Sequence, residues 1–145
     1  MKLQFRSLAI LSALVFFALA LTWMLAPNLL LSEWGVEFTA PVGLVGRRVA
    51  ALYAGIAVML FSARNAEPST ARSALIKGVA VSCLMLATLG LFEFGAGHAN
   101  PSILVAVSIE VALSLAFLYV GWGRSAQSHV PAGKQVYLTK KQRRK

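Results

Sequence analysis

Four long apolar runs divide the chain, at residues 7–26, 43–63, 74–94 and 102–122. Each has about the 20 residues that an α-helix needs to cross the ~30 Å hydrocarbon core of a bilayer. The runs are continuous, whereas the strands of a membrane barrel alternate apolar and polar residues over ~10-residue segments. Only helices and closed barrels satisfy their own backbone hydrogen bonds in lipid. The pattern therefore predicts an all-α bundle of four transmembrane helices.

Two interpretations of the first run remain open. Lys2 and Arg6 precede it, and the small residues at 18–20 (Ala-Leu-Ala) could form the cleavage site of a secretory signal. Apolar residues nevertheless continue to Leu25, which makes a full span rather than a short signal core. Pro27 then ends the predicted helix, because the residue before a proline disfavours helical conformation. We expect an uncleaved span, with the cleaved signal as the alternative.

The connections between the runs differ in character. Residues 28–42 are too short and too charged to span the bilayer, yet too apolar for an ordinary loop. They predict either a short amphipathic turn or helix in the interface, with Trp23 and Trp34 at headgroup level, or a collapsed loop that caps the bundle. Residues 64–72 form a polar turn rich in helix breakers, and residues 95–101 form a tight connection.

Composition strengthens the membrane assignment. The 145 residues are 58% hydrophobic and 13% charged, with a mean hydropathy of +0.71, so they carry more apolar surface than a soluble core of this length needs. The net charge is +9, and seven of the fourteen basic residues follow the last run. We expect a four-helix domain at residues 1–123 and a disordered basic tail at 124–145 that lies beside anionic lipid. Basic residues are not interleaved with aromatics, which argues against nucleic-acid binding.

The distribution of basic residues predicts an orientation. The N-terminus, the segment 64–77 and the tail are basic, whereas the connections 28–42 and 95–101 hold no Lys or Arg. Cytoplasmic segments carry an excess of Lys and Arg. Both ends of the chain should therefore face the cytoplasm.

Charged side chains inside the runs are the candidate functional residues. Each charge at mid-bilayer costs roughly 2.5 to 3.5 kcal/mol, so these residues should find partners. With the predicted topology they all fall in the outer half of the bundle. The predicted charge cluster comprises Arg47, Arg48, Glu93 and Glu110, with His98 and Tyr53 as accessory residues.

The cluster has a structural and a functional interpretation. Small residues follow Arg47 at helical spacing and predict that it points into the bundle, whereas Arg48 could extend to the outer headgroups. Arg47, Glu93 and Glu110 could form a buried ionic lock that fixes helix register. Alternatively, Glu110 could be a proton or ligand site, since an intramembrane carboxylate is a functional candidate by default.

Motifs for catalysis are missing from the sequence. It has no nucleophile–base pair, phosphate-binding loop, haem motif or metal-ligand spacing, so we assign no catalytic residue, metal or cofactor. The single cysteine, Cys83, can form no internal disulfide.

A resemblance rests on the stretch Gly46-Arg47-Arg48-Val49-Ala50-Ala51-Leu52-Tyr53-Ala54-Gly55, followed by Arg64. It resembles small bacterial four-helix membrane proteins of unknown function, broadly DoxX-like. The resemblance implies a bacterial inner-membrane bundle, and some DoxX-like members are described as subunits of quinone-linked oxidoreductases. It carries over no catalytic residues.

These observations give three functional hypotheses. We expect an accessory or interaction protein that meets the lipid bilayer and either a second copy or another membrane protein. The second hypothesis is a proton-coupled or small-solute carrier that acts as an oligomer, with Glu110 as the titrating group and Arg47 as its counter-ion. The third is a membrane subunit of a quinone-linked oxidoreductase, with a quinone pocket between the second and fourth spans.

Overall fold

The computed structural model describes residues 4–125, and residues 126–145 of the predicted basic tail lie outside the described residues. All regular structure in the described range is helical, as predicted. The helices are α1 (Phe5–Leu25), α2 (Pro27–Glu33), α3 (Ala40–Ser62), α4 (Thr70–Gly95) and α5 (Ile103–Ser125), with a 3₁₀ turn at Ala63–Asn65 after α3.

The four long helices can each cross a membrane. By length and hydropathy the candidate spans are Phe5–Leu25, Ala40–Asn65, Thr70–Gly95 and Ile103–Gly121. Many large apolar side chains on these helices are exposed in the single chain, including Leu52, Met85 and Val105. Such side chains suit contact with lipid tails, which are as apolar as they are. The predicted four-helix transmembrane fold is thereby confirmed.

Prolines and capping side chains set the helix boundaries. α1 ends before Pro27, as predicted, and Pro27 then begins α2, where a missing backbone N–H costs nothing. Thr39 caps α3 by accepting a hydrogen bond from the Val42 N–H, and Ser69 accepts one from the Arg72 N–H. α3 therefore begins at residue 40 and α4 at residue 70, before the apolar runs that begin at 43 and 74.

Residues 28–42 contain the short helix that one of the two interpretations predicted. α2 occupies Pro27–Glu33, a turn at Trp34 and Gly35 follows it, and Thr39, in extended conformation, caps α3. The indole rings of Trp23 and Trp34 pack together with a centroid separation of 5.8 Å. This segment therefore folds against the end of α1.

α1 and α3 form an antiparallel pair. Near one end of the pair a Cβ atom on Gly46 would lie only 2.6 Å from Cε3 of Trp23, so glycine permits the close approach. Farther along, the rings of Phe16 and Tyr53 pack with centroids 5.8 Å apart. These contacts place Tyr53 near the middle of α1.

α4 and α5 form the second antiparallel pair. A Cβ atom on Gly90 would lie 2.7 Å from Cγ2 of Val107, so glycine again allows close packing. Ser114 of α5 donates a hydrogen bond across the pair to the Ala80 carbonyl at 3.1 Å, and both residues are buried. This bond fixes the register of α5 against α4.

One buried cluster joins the two pairs, and it lies between the middle of the bundle and the end that we call the basic end. The basic end comprises the start of α1, the segment from the 3₁₀ turn to the start of α4, and the end of α5. All four long helices contribute to the cluster. Its members are Phe5, Leu8, Ala9, Ala13, Phe16, Ala57, Leu60, Ile76, Val79, Ala80, Cys83, Phe117 and Val120.

Arg72 closes this cluster at the basic end. The side chain is only 8% exposed, and its guanidinium group lies 3.8 Å from the centre of the Phe5 ring. Its Nη1 atom donates to the Ala66 carbonyl at 3.1 Å. A planar guanidinium group can stack on an aromatic ring and donate hydrogen bonds at its edge. The sequence pattern assigned Arg72 to a polar turn, whereas it lies buried in the first turn of α4.

The opposite end, which we call the loop end, comprises α2 with the segment 34–39 that follows it and the connection between α4 and α5. Two hydrogen bonds to backbone carbonyls join the two pairs here. The Asn100 N–H donates to the Trp34 carbonyl at 2.8 Å, and the Ser102 hydroxyl donates to the Glu33 carbonyl. Gly35 has φ of 74°, and a Cβ atom there would lie 2.6 Å from Nδ2 of Asn100. A glycine is therefore required at position 35 for two reasons, the positive φ angle and the close approach of the Asn100 side chain.

Replacement of Gly35 should weaken the contact at the loop end. Gly97 has a similar φ of 77° but open space around its Cβ position, so Gly97→Ala is the matched control. We expect Gly97→Ala to cost about 1–2 kcal/mol for the backbone angle alone, and Gly35→Ala to cost more because it also displaces Asn100. Thermal unfolding in detergent, followed by tryptophan fluorescence, measures both. Adding Asn100→Ala should reduce the Gly35→Ala effect to that of the control, and equal effects of the two single variants would contradict the contact.

Candidate functional site

Glu110 is a charged residue that lies deep in the described part of the bundle. It is the single charge in the candidate span Ile103–Gly121, seven residues or ~10 Å along α5 from Ile103. The next turn of α5 carries Ser114, whose bond to Ala80 fixes the helix. The Glu110 side chain is partly buried, so packing covers part of it and leaves part accessible.

Tyr53 of α3 and Cys83 of α4 are the polar neighbours of Glu110. Both lie close enough for electrostatic interaction with its carboxyl group. Tyr53 packs on Phe16, which is eleven residues from Phe5 and nine from Leu25 at the two ends of α1. At 1.5 Å per residue these separations are ~16 and ~14 Å. The Tyr53–Glu110 level is thus near the middle of the bilayer that α1 would span.

Arg47 and Arg48 lie elsewhere. Both are exposed on α3 in the single chain, next to Gly46, which packs on Trp23 near the end of α1. Arg47 precedes Tyr53 by six residues, or ~9 Å along the helix. Side chains lean toward the N-terminus of their own helix, so both arginines lean toward the loop end and away from Glu110. That position suits guanidinium groups that reach the headgroups.

The small residues after Arg47 are divided between two faces of α3. Ala50 is fully buried, but Ala51 and Gly55 are exposed, and the Cβ position of Gly55 meets open space. The buried face of α3 instead follows Gly43, Gly46, Ala50, Ala57 and Leu60. The inward orientation expected for Arg47 is therefore wrong for the single chain, because Arg47 is exposed and the small residues that suggested it are split between a buried and an exposed face.

Glu93 and His98 meet at the loop end. His98 Nδ1 lies 2.8 Å from Glu93 Oε2, and the His98 N–H donates to the Glu93 carbonyl at 3.0 Å. This ion pair includes neither Arg47 nor Arg48. The structure thus brings Glu93 into contact with His98 and places Glu110 within electrostatic range of Tyr53, while a joint cluster of four charges stays a prediction.

The burial of two polar residues, Arg72 and Ser12, was not predicted from the sequence. Arg72 has a local signal in Ser69, three residues earlier, which is a typical helix cap and places Arg72 in the first helical turn. Ser12 lies fully buried in α1, and within the described residues its hydroxyl has no hydrogen-bond partner. No sequence signal distinguishes Ser12 from other serines in the spans.

The arrangement limits the chemistry that the site can support. Among the described residues there is no group of three or more His, Cys, Asp or Glu side chains that could hold a metal ion. Glu110 and Tyr53 supply a carboxyl group and a phenol at mid-bilayer level. Such groups can exchange a proton or hydrogen-bond to a polar group brought by another molecule.

The separation of Arg47 from Glu110 predicts that they act independently. We expect the effects of Arg47→Met and Glu110→Gln on unfolding free energy in lipid–detergent mixtures to add within about 0.5 kcal/mol. The pair Arg48→Met and Glu110→Gln serves as the control. A coupling of several kcal/mol confined to Arg47 would contradict the placement and favour the buried ionic lock.

Comparison with protein-family models, with curated proteins and with solved structures gives no match. The resemblance to DoxX-like proteins, which rests on the Gly46–Gly55 stretch and Arg64, therefore stays an expectation.

Proposed function

We propose that this chain is a small accessory protein of a bacterial inner membrane, which acts by contact between its transmembrane helices and another membrane protein or a second copy. The observation that carries the proposal is the partly accessible carboxyl group of Glu110 near mid-bilayer, without an ion pair in the described range. A carboxyl group at this depth is costly unless a polar group meets it.

The surroundings of Glu110 support such a contact. Val105 and Ile109, on the same helix, are 65% and 47% exposed, so apolar surface is available beside the carboxyl group. Helices in lipid associate through packing and interhelical hydrogen bonds rather than through hydrophobic burial. A polar side chain on a partner helix would satisfy Glu110 and fix the register of the complex.

The charge distribution supports an orientation with both ends in the cytoplasm. The antiparallel pairs bring Arg6, Arg64 and Arg72 to the basic end, whereas Glu37 and Glu93 lie at the loop end. Positively charged segments are retained on the cytoplasmic side. The loop end, with Arg47 and Arg48 about two turns along α3 from its start, would then face outward.

Photo-crosslinking from position 109 tests the accessory role. In one variant a photoreactive residue replaces Ile109, beside Glu110. In a control variant it replaces Leu115, which is also exposed on α5, and both variants are irradiated in membranes of the source cells. We expect protein crosslinks from position 109 to fall at least about fivefold with Glu110→Gln, because the carboxyl group holds the partner. Glu93→Gln should leave them unchanged. Equal crosslinking in the wild type and Glu110→Gln, or crosslinks to lipid alone, would contradict the proposal.

A proton-coupled carrier is the second candidate, and the proximity of Glu110 to Tyr53 favours it. Within the described residues Arg47 does not pair with Glu110, so a permanent counter-ion does not oppose protonation of the carboxyl group. Four spans are few for alternating access, so a carrier would act as an oligomer. A quinone-linked subunit calls for a pocket between α3 and α5, and no observation favours it.

Infrared difference spectroscopy separates the two candidates. Spectra of the wild type in lipid are compared with those of Glu110→Gln between pH 5 and 9, with Glu93→Gln as the control for a carboxyl group at the loop end. For an accessory protein we expect the Glu110 signal to be constant over this range, since a fixed polar contact holds one protonation state. A Glu110 carboxyl band that titrates within the range would favour the carrier.

A further inference from the structure

An apolar groove runs along the lipid-facing side of the α1–α3 pair, and we call it the α1–α3 groove. Its volume is about 360 Å³. Ala13 and Ala57, both buried, form the floor, and the small side chains create the depression. Larger exposed side chains form the walls, namely Leu14 and Phe17 of α1 and Val58 and Phe61 of α3.

Arg64 lies at the basic end of this groove. Its guanidinium group lies 4.0 Å from the centre of the Phe61 ring, which is itself part of the groove wall. Nη1 of Arg64 donates to the Phe61 carbonyl at 2.7 Å, which holds the group against the end of α3. A guanidinium group has five N–H donors, so further donors remain for an anion.

Arg6 approaches the same end of the groove from α1. It is exposed and precedes Ala13 by seven residues, or two helical turns, so the two residues share a face of the helix. α1 also contacts the 3₁₀ turn that contains Arg64. Arg6 of α1 and Arg64 of the 3₁₀ turn that follows α3 thus both lie at the basic end of the groove.

We propose that the α1–α3 groove binds an acyl chain of an anionic phospholipid, with the headgroup phosphate held by Arg6 and Arg64. From Arg6 to Phe17 is eleven residues, or ~16 Å, which is about half of the ~30 Å hydrocarbon core. The groove together with the arginines at its basic end therefore has about the depth of one leaflet. The cationic end lies at the helix termini, where a headgroup would be, and the apolar part extends from it toward the bilayer middle.

Charge complementarity selects this occupant over a second copy of the chain. A symmetric copy packed on the same face would bring its own Arg6 and Arg64 toward these, and like charges would repel. Guanidinium groups bind phosphate through paired hydrogen bonds, and a basic residue at an anionic membrane surface strengthens binding about fivefold. This site is separate from Glu110 and from the lipid contact expected of the basic tail.

Native mass spectrometry of the full chain tests the headgroup contact. The chain is purified from nanodiscs that contain equal amounts of phosphatidylglycerol and phosphatidylcholine. We expect the wild type to retain phosphatidylglycerol at least about fivefold over phosphatidylcholine, and the double variant Arg6→Gln/Arg64→Gln to lose the preference. Lys77→Gln removes one charge from α4 near the same end and should leave the preference intact. Equal retention by the wild type, or an equal loss with Lys77→Gln, would overturn the proposal.

A second pair of variants tests the groove without changing charge. Leu14 lines the groove and Leu115 lies on α5, and both side chains are 62% exposed, so neither replacement disturbs the buried cluster. Leu14→Trp should reduce the amount of retained lipid at least about threefold by filling the groove, whereas Leu115→Trp should not. Equal retention by both variants would overturn the proposal. So would a lipid-free dimer that dissociates with Leu14→Trp, because a second copy would then cover the groove.

Discussion

The packing that joins the two helix pairs is the constraint on which the rest of the structure depends. Within a bilayer no hydrophobic driving force brings helices together, so close side-chain packing must do so. Leu60 of α3 and Phe117 of α5 are fully buried and are the largest fully buried side chains of the shared cluster. Arg72 closes it from the basic end. The depth of every other side chain, Glu110 included, follows from this arrangement.

Helix register explains why the intramembrane charges separate. Contacts of Trp23 with Gly46 and of Phe16 with Tyr53 place α3 against α1, and Ser114 places α5 against α4. Arg47 is thereby shallow and Glu110 deep. A guanidinium group near a helix end can reach water along its own stem, but a short carboxylate at mid-bilayer has no such route. Of these two residues, Glu110 is the one that the proposed partner would contact.

Run length and hydropathy were sufficient to predict the number and class of the helices, because a membrane span needs a fixed length of apolar sequence. The first residues of α3 and α4 were harder to predict from the sequence. Pro41 and Arg72 interrupt the apolar pattern, although both fit a first helical turn. The orientation of Arg47 could not be predicted from neighbours. Small residues occur on both faces of α3, and only its contact with α1 determines which face is buried. Pairing of His98 with Glu93 depends on the turn at Gly97, which spacing alone does not specify.

The two ends of the bundle are joined in different ways, and the difference has a mechanical consequence. Interlocked side chains hold the pairs together from the basic end to the middle, whereas the loop end is joined by two hydrogen bonds, from Asn100 and Ser102 to the backbone of residues 33 and 34. In such an assembly, the two helix pairs would pivot about the packed cluster. Any tilt of one pair against the other would displace the loop end more than the level of Glu110, because Glu110 lies closer to the packed cluster. The two hydrogen bonds at the loop end thus limit how far the helix pairs can separate on the loop-end side of Glu110.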